Sequence, residues 1–364
     1  MAPRHLLHIF PTFETGGQQV RFALIANKLG RRYRHTIVAL DSRFDCAARL
    51  SDEVDYHLLD LHIDKSRPFR NLLTFRQQIR TLAPDLLLTY NWGAIEWALV
   101  NRYLPICGHV HFEDGFHPDE AIAQKRRRIW ARRLALGGSR CVVVPSRTLE
   151  RIALEIWQLP TELVRYIPNG VDCAHFHPDF DRAQPAAANR SPILGTVATL
   201  RAEKNIGRLM RVFARLRRQN PLRLVIAGDG PERTTLVEQA HQLGLSEDIT
   251  FCGQISDPAD VLRSFSVFVL SSDTEQMPMS ILEAMATGLP IAATNVGDVR
   301  EMLAQENLAY VVARDDEDAL ANAIAGILAN PAGADAMGAG NRARAAADFS
   351  QQHMLDEYDR LFSL

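Results

Sequence analysis

The sequence has no apolar run that approaches the length of a bilayer-spanning helix. Its start, MAPRHLLHIFP, has too short an apolar core for a signal peptide, so a cytoplasmic protein is expected. It has no basic excess. A formal net charge of -2 argues against a chain that coats nucleic acid. Cysteine is scarce and scattered: Cys46, Cys107, Cys141, Cys173 and Cys252 include no C-x-x-C and no metal-ligand spacing. Cys107 and Cys141 fall in strand-like runs, which favours buried thiols in a reducing compartment over disulfides. No G-x-G-x-x-G is present, so Gly16-Gly17 is not a dinucleotide fingerprint.

What remains is an ordinary globular composition, 47% hydrophobic and 23% charged over 364 residues, enough for two domains with ample cores. Strand-like runs (His5–Phe10, Thr36–Leu40, Tyr56–Leu61, Leu86–Tyr90, His109–Phe112, Cys141–Pro145) alternate with helical ones. Asp179–Pro192, rich in Ala, Asp, Arg and Pro, reads as a linker. Alternation restarts at Ile193–Thr199 and continues through the helix Asn205–Arg218 and the strands Leu222–Ala227, Val267–Leu270 and Ile291–Thr294. Such alternation predicts α/β architecture, with two doubly wound Rossmann-like domains facing across a cleft and ligands beyond the carboxyl ends of the strands.

One stretch stands out. Ser271–Gly297, SSDTEQMPMSILEAMATGLPIAATNVG, reads as a strand end, an acidic loop, a short helix and a buried strand. Pro278 suits a first helical position, which leaves the N–H groups of Met279 and Ser280 free to meet an anion such as phosphate. Glu275 and Glu283 flank that point. Carboxylates repel a phosphate, so they are better placed to accept from sugar hydroxyls beside it. Ser280-Ile-Leu-Glu283 also fits a capping box.

Further candidates lie at other strand ends. Gly16-Gly17 opens a helix where backbone can approach a ligand. His111, Glu113 and Asp114 follow a strand and suit acceptor activation or sugar contacts. His109 shares the strand face, and one of the two histidines is expected to be packed; His111 is nearer the loop. Arg201 and Lys204 could neutralise a diphosphate leaving group without a metal. The basic run Lys125–Arg133 would place Lys125, Arg128 and Arg132 on one helical face, as a surface for anionic lipid headgroups or merely a solvated face. Asp316-Glu317-Asp318 has acidic-pair spacing but precedes a helix, where such residues are expected in the first turn.

Taken together, the chain resembles the family-four retaining glycosyltransferases of the GT-B fold. The resemblance rests on Gly16-Gly17, Pro168-Asn169-Gly170-Val171-Asp172 with Phe176, Arg201–Lys204, Gly228-Asp-Gly230-Pro231, and the E-x7-E signature Glu275…Glu283 with its following Gly288-Leu-Pro290. It implies an acceptor-side domain over 1–178, a sugar-nucleotide domain over 193–349 and a helix within 350–364 crossing back to the first domain. Glu283 would hold the ribose, Glu275 the donor sugar, and Lys204 with Arg201 the diphosphate. Gly16, Gly17, Asn169, Gly228, Gly230, Met279 and Ser280 would line the donor, and the acceptor would enter near His111, Glu113 and Asp114. The family's arginine five positions before its lysine falls on Thr199, and its Gly-Gly pair is Gly297-Asp298.

The expected activity is therefore metal-independent, cofactor-free, retaining transfer from a UDP- or GDP-sugar to a glycan or lipid-linked acceptor, in surface polysaccharide or lipopolysaccharide synthesis. The enzyme would be cytoplasmic or peripheral on the inner membrane face. A sugar-nucleotide epimerase of similar architecture, and a non-catalytic sugar-nucleotide binder, are the alternatives.

Overall fold

The computed structural model describes residues 3–61, 63, 68–115, 124–178 and 191–364. Most of the expected linker lies outside the described residues. The chain divides into two compact units, Met1–Pro168 with Met354–Leu364, and Asn169–His353.

Seven parallel strands build the first unit: β1 (Arg4–Phe10), β2 (Tyr33–Ala39), β3 (Asp55–Leu59), β4 (Leu86–Tyr90), β5 (Gly108–Phe112), β6 (Cys141–Val144) and β7 (Val164–Tyr166), in the order β3-β2-β1-β4-β5-β6-β7. The helices are α1 (Gly17–Leu29), α2 (Pro68–Leu82), α3 (Ile95–Tyr103), α4 (Arg126–Leu136) and α5 (Arg147–Arg151). β1 and β4 are buried almost throughout because helices cover both faces of the sheet. One face packs on α1, the other on α2 and α3 through Phe75, Ile79 and Trp97.

The second unit has six parallel strands, β8 (Ile193–Val197), β9 (Arg223–Ala227), β10 (Ile249–Gly253), β11 (Val267–Leu270), β12 (Ile291–Thr294) and β13 (Val311–Val312), in the order β10-β9-β8-β11-β12-β13. Its helices are α6 (Ile206–Arg217), α7 (Arg233–Gln242), α8 (Ala259–Ser264), α9 (Met279–Ala286), α10 (Val299–Met302), α11 (Glu317–Ala329) and α12 (Pro331–Asp348). In each sheet the strand order reverses beside the first strand, between β1 and β4 and between β8 and β11. That reversal opens a crevice at the carboxyl ends, the usual ligand position in such sheets.

Two segments, Asn169–Pro178 and α12, depart from the sequence reading. Asn169–Pro178 belongs to the second unit, not the first: Val171 N–H donates to the Phe349 carbonyl at 2.8 Å, and Val171 bridges Ser350. The last helix, α13 (Gln351–Phe362), sends Met354, Leu355, Tyr358, Leu361 and Phe362 into the core of the first unit. α12 was not expected from sequence, because Gly333, Gly338 and Gly340 all lower helix propensity. Packing accounts for Gly338: a Cβ there would lie 2.1 Å from the Gly288 carbonyl oxygen, so only glycine lets α12 approach the end of α9.

Candidate functional site

In the second unit, two loops meet at the strand reversal. The first follows β8 and the second follows β11. They are joined by hydrogen bonds from Asp273 N–H to the Glu203 carbonyl (2.8 Å) and from Ser271 Oγ to the Lys204 carbonyl (3.1 Å). Asn205, in the left-handed conformation at φ 44°, caps α6 by accepting from Arg208 N–H at 3.1 Å. Arg208 is buried. Its Nη1 donates to the Ser271 carbonyl at 3.0 Å, and its Nη2 lies 2.9 Å from Asp273 Oδ1. Sequence reasoning passed over Arg208; the available signal was a cation sharing a helical stripe with apolar Val212.

This framework fixes Glu275. Its Oε1 accepts from Lys204 Nζ at 2.6 Å and from Ser272 Oγ at 2.7 Å. The backbone behind it is held by Gly297, at φ +54°, where a Cβ would meet the Glu275 carbonyl oxygen at 2.4 Å. The next residue, Asp298, donates its N–H to the Gln276 carbonyl at 2.9 Å. Gly297-Asp298 therefore supports the acidic loop through one glycine alone.

α9 begins at Met279, with Pro278 as the extended residue before it and no side chain capping the start. Pro278 is thus one position earlier than expected. The capping box does not form: Ser280 lies inside the helix, and no hydrogen bond joins the Glu283 carboxyl to the helix start among the described residues. Ile281, Leu282, Ala284 and Met285 are fully buried, leaving Glu283 half-buried at the edge of an otherwise apolar helix. Burial pushes its carboxyl up to about 7, helped by the charge of Asp257 and opposed by His175. Asp257 and His175 are themselves paired at 2.9 Å.

The remaining second-unit candidates divide. Arg201 is exposed, at the start of the short turn Ala202–Lys204. Asn169 is buried, with Nδ2 donating to the Met277 carbonyl at 2.9 Å, which ties it to the approach to α9. Gly228 and Gly230 pack backbone on backbone: Cβ atoms there would lie 1.8 Å from the Ala198 carbonyl oxygen and 2.5 Å from that of Leu200. Asp316 caps α11 by accepting from Ala319 N–H at 2.8 Å, while Glu317 and Asp318 pair with Arg211 and Arg215.

In the first unit, α1 starts at Gly17, where a Cβ would meet nothing within 4 Å. Asp114 faces this helix start. Its carboxylate takes Arg21 and the Gln18 amide as partners, and its N–H donates to Asn91 Oδ1 at 2.8 Å. His111 and Glu113 do not stand open at the strand end as expected; both side chains are fully buried. His111 Nδ1 shares the Thr89 hydroxyl with His109, each at 2.8 Å, and His111 Nε2 lies 3.7 Å from Glu113 Oε2. Glu113 is held 3.2 Å from Arg132 Nε. The β5 period explains this: alternate residues of a doubly covered strand point into one core or the other. The basic helix is also turned from its expected orientation. Arg132 is fully buried between the rings of Trp92 and Trp157, and Arg128 lies over Trp92 at 5.1 Å.

Comparison with known proteins gives the family and the fold. The family described as Glycosyltransferase Family 4 matches residues 15–175, and Glycosyl transferases group 1 matches residues 178–344. A GDP-mannose-dependent alpha-(1-6)-phosphatidylinositol monomannoside mannosyltransferase of Mycolicibacterium smegmatis is 32% identical over 200 residues, 50% of this chain and 52% of that protein. The chain spans about half the length of the curated relatives it matches. Two solved structures share the fold. Sucrose-phosphate synthase from Thermosynechococcus elongatus has a TM-score of 0.79 at 23% identity, covering 99% of this chain and 98% of that one. Anabaena Alr3699/HepE in complex with UDP-glucose has a TM-score of 0.81 at 18% identity, covering 99% and 100%. Two Rossmann-like parallel-sheet units match the GT-B architecture of these structures. With nearly the whole chain matched by the two family descriptions, the protein belongs to the family-four, group 1 glycosyltransferases.

Proposed function

We propose that the chain is a retaining glycosyltransferase that takes a sugar from a UDP- or GDP-sugar and needs no metal ion. The observation that carries this reading is the pairing of Lys204 with Glu275 beside the uncapped start of α9, with Glu283 one turn inside that helix. The cation and the helix N–H groups supply positive charge for a diphosphate. The two acids supply acceptors for hydroxyls on either side of it: Glu283 for the ribose, Glu275 for the donor sugar. Arg201, exposed at the neighbouring turn, is the second cation assigned to the diphosphate.

The reaction breaks the bond between the anomeric carbon and the phosphate oxygen, with the electron pair leaving on the nucleoside diphosphate. The acceptor hydroxyl attacks from the same face, and its proton passes to the departing phosphate oxygen. Acceptor contacts are assigned to the first unit, at Asp114. His111 and Glu113, being buried, act by holding that edge in place. Relatives named for GDP-mannose dependence and a neighbour solved with UDP-glucose support the donor class. A glycan or lipid-linked acceptor, at the cytoplasmic side of a membrane, completes the reading. No helix among the described residues is long and apolar enough to cross a membrane.

The test is a thermal-shift screen against nucleotide sugars, followed by product analysis with and without acceptor in the presence of EDTA. A shift by one donor and acceptor-dependent, EDTA-resistant transfer with retained configuration is expected. Turnover of donor to another sugar nucleotide without acceptor, or a metal requirement, would contradict the proposal.

A further inference from the structure

The inward turn of Arg128 and Arg132 leaves a different face of α4 outermost. Arg126, Trp130 and Leu134 follow one another at four-residue spacing, so they form one outward stripe, with Arg127 beside it. Trp130 is 59% exposed and Leu134 47%. The end of α3 adds Tyr103, 61% exposed, and Leu104, 47%. These four account for a large share of the exposed bulky apolar side chains, and one residue joins them. Arg102 Nη1 donates to the Arg133 carbonyl at 3.2 Å and also to that of Leu134, tying α3 to α4.

Each aromatic ring carries a guanidinium. Arg133 lies 4.8 Å over Trp130 and Arg102 lies 5.8 Å over Tyr103. Arg133 is anchored in turn by Nε donating to the Trp157 carbonyl at 2.8 Å. Lys125–Arg140 contains seven Lys and Arg and no Asp or Glu, although the whole chain has a net charge of -2. Of these, Lys125, Arg126 and Arg127 are exposed beside the apolar tips, while Arg132 is buried.

We propose that this surface docks the protein on an anionic lipid bilayer, with Trp130, Leu134, Tyr103 and Leu104 entering the headgroup layer and Arg126 and Arg127 meeting lipid phosphates. Indole and phenol rings favour the membrane interface because they join an apolar body to a polar edge. Charge of one sign around shallow apolar tips complements an anionic leaflet, and salt would screen it. Single-stranded nucleic acid fits less well, since stacking needs open ring faces and a guanidinium already occupies one face of each ring. Holding the first unit at a surface would bring it to lipid-linked acceptors; that purpose rests on the proposed function, but the docking does not.

The test uses the purified full chain and flotation with vesicles, without donor or acceptor, so its outcome is independent of catalysis. At low salt the protein should float with vesicles of phosphatidylcholine containing phosphatidylglycerol, and not with phosphatidylcholine alone. Trp130 is the exposed tryptophan, so its emission should shift to the blue and be quenched by brominated lipid. Trp130→Ala with Leu134→Ala should weaken partition at least tenfold. Arg126→Gln and Arg127→Gln should each weaken it about fivefold. Because these side chains are exposed, thermal midpoint and nucleoside diphosphate binding should stay at wild-type values. Wild-type protein that remains unfloated, variants that float equally well, or a preference for an RNA oligonucleotide over the vesicles would overturn the proposal.

Discussion

Lys204 Nζ lies 2.6 Å from Glu275 Oε1, so the two residues assigned to opposite ends of the donor's sugar–phosphate bond are bonded to each other. Ser272 Oγ donates to the same Oε1 at 2.7 Å. The pair sits at the surface of the second unit, with Glu275 well shielded and Lys204 less so. On the proposed reading, a diphosphate at Lys204 would share it with Glu275, and that sharing would hold the carboxylate in one orientation for sugar hydroxyls.

Charged hydrogen bonds contribute roughly 1.5–3 kcal/mol each. Glu275→Ala should therefore lower turnover about tenfold to over a hundredfold. Lys204→Ala should weaken nucleoside diphosphate binding by a similar factor. Initial rates and calorimetric titration measure the two effects. A Glu275→Ala enzyme with full activity would remove that residue from the site.

Glu283 should leave a signature in stability against pH. Its folded carboxyl sits at about 7, above the 4.5 of the free side chain. Its contribution is fully present below pH 4.5 and is lost as pH rises through 7. Glu283→Gln should then gain up to about 3 kcal/mol on wild type at pH 8, and little at pH 4.5. The same variant should bind the donor more weakly. Urea unfolding at a series of pH values checks the first claim. A constant difference across pH would show that the carboxyl is not strained by burial.

The first unit should respond to acid instead. Burial pushes His35 down to about 4, and it pushes His109 down to about 3 with His111 adding to the effect. Both ordinarily titrate near 6.5. The unfolded chain takes up protons below 6.5 that the folded unit refuses, so stability falls as pH drops from 6.5 toward 4. Each histidine contributes up to about 3 kcal/mol over that range, a sizeable part of a typical domain's stability. His109→Gln should flatten the acid limb. Hydrogen exchange resolved by segment should show residues of β5 and β6 opening first in acid, and an unchanged limb in the variant would argue against the mechanism.

Two glycine substitutions should act in opposite directions. Gly338→Ala drives a Cβ to 2.1 Å from the Gly288 carbonyl oxygen and should destabilise by about 1–3 kcal/mol. Gly326→Ala, inside α11, meets only Tyr310 at 3.4 Å and should stabilise by about 0.5–1 kcal/mol. Denaturant midpoints measure both. Equal effects would mean that the α12–α9 approach is looser than the structure shows.

The parallel architecture was legible because strand and helix periods alternate and doubly covered strands are apolar throughout, as in Leu86–Tyr90. The position of Glu275 and Glu283 on either side of a helix start was legible from their spacing. What stayed hidden depends on distant partners. α12 reads as glycine-weakened until Gly288 is set against Gly338. The burial of His111 depends on Thr89 and Glu113, and Glu113 in turn on Arg132, 19 residues away. Arg128 and Arg132 look like solvated charges until Trp92 and Trp157 are packed beside them. Asn169–Pro178 follows a first-unit strand in sequence, yet its bonds to Met277 and Phe349 place it in the second unit.

The central claim is that the second unit grips a nucleotide sugar through Lys204, the α9 start and two acids. Calorimetric titration of the wild-type and Glu283→Ala proteins with UDP- and GDP-sugars tests it most directly. One donor should bind wild type and lose at least tenfold in affinity with Glu283→Ala. Equal affinity for both proteins, or no binding by any nucleotide sugar, would contradict it.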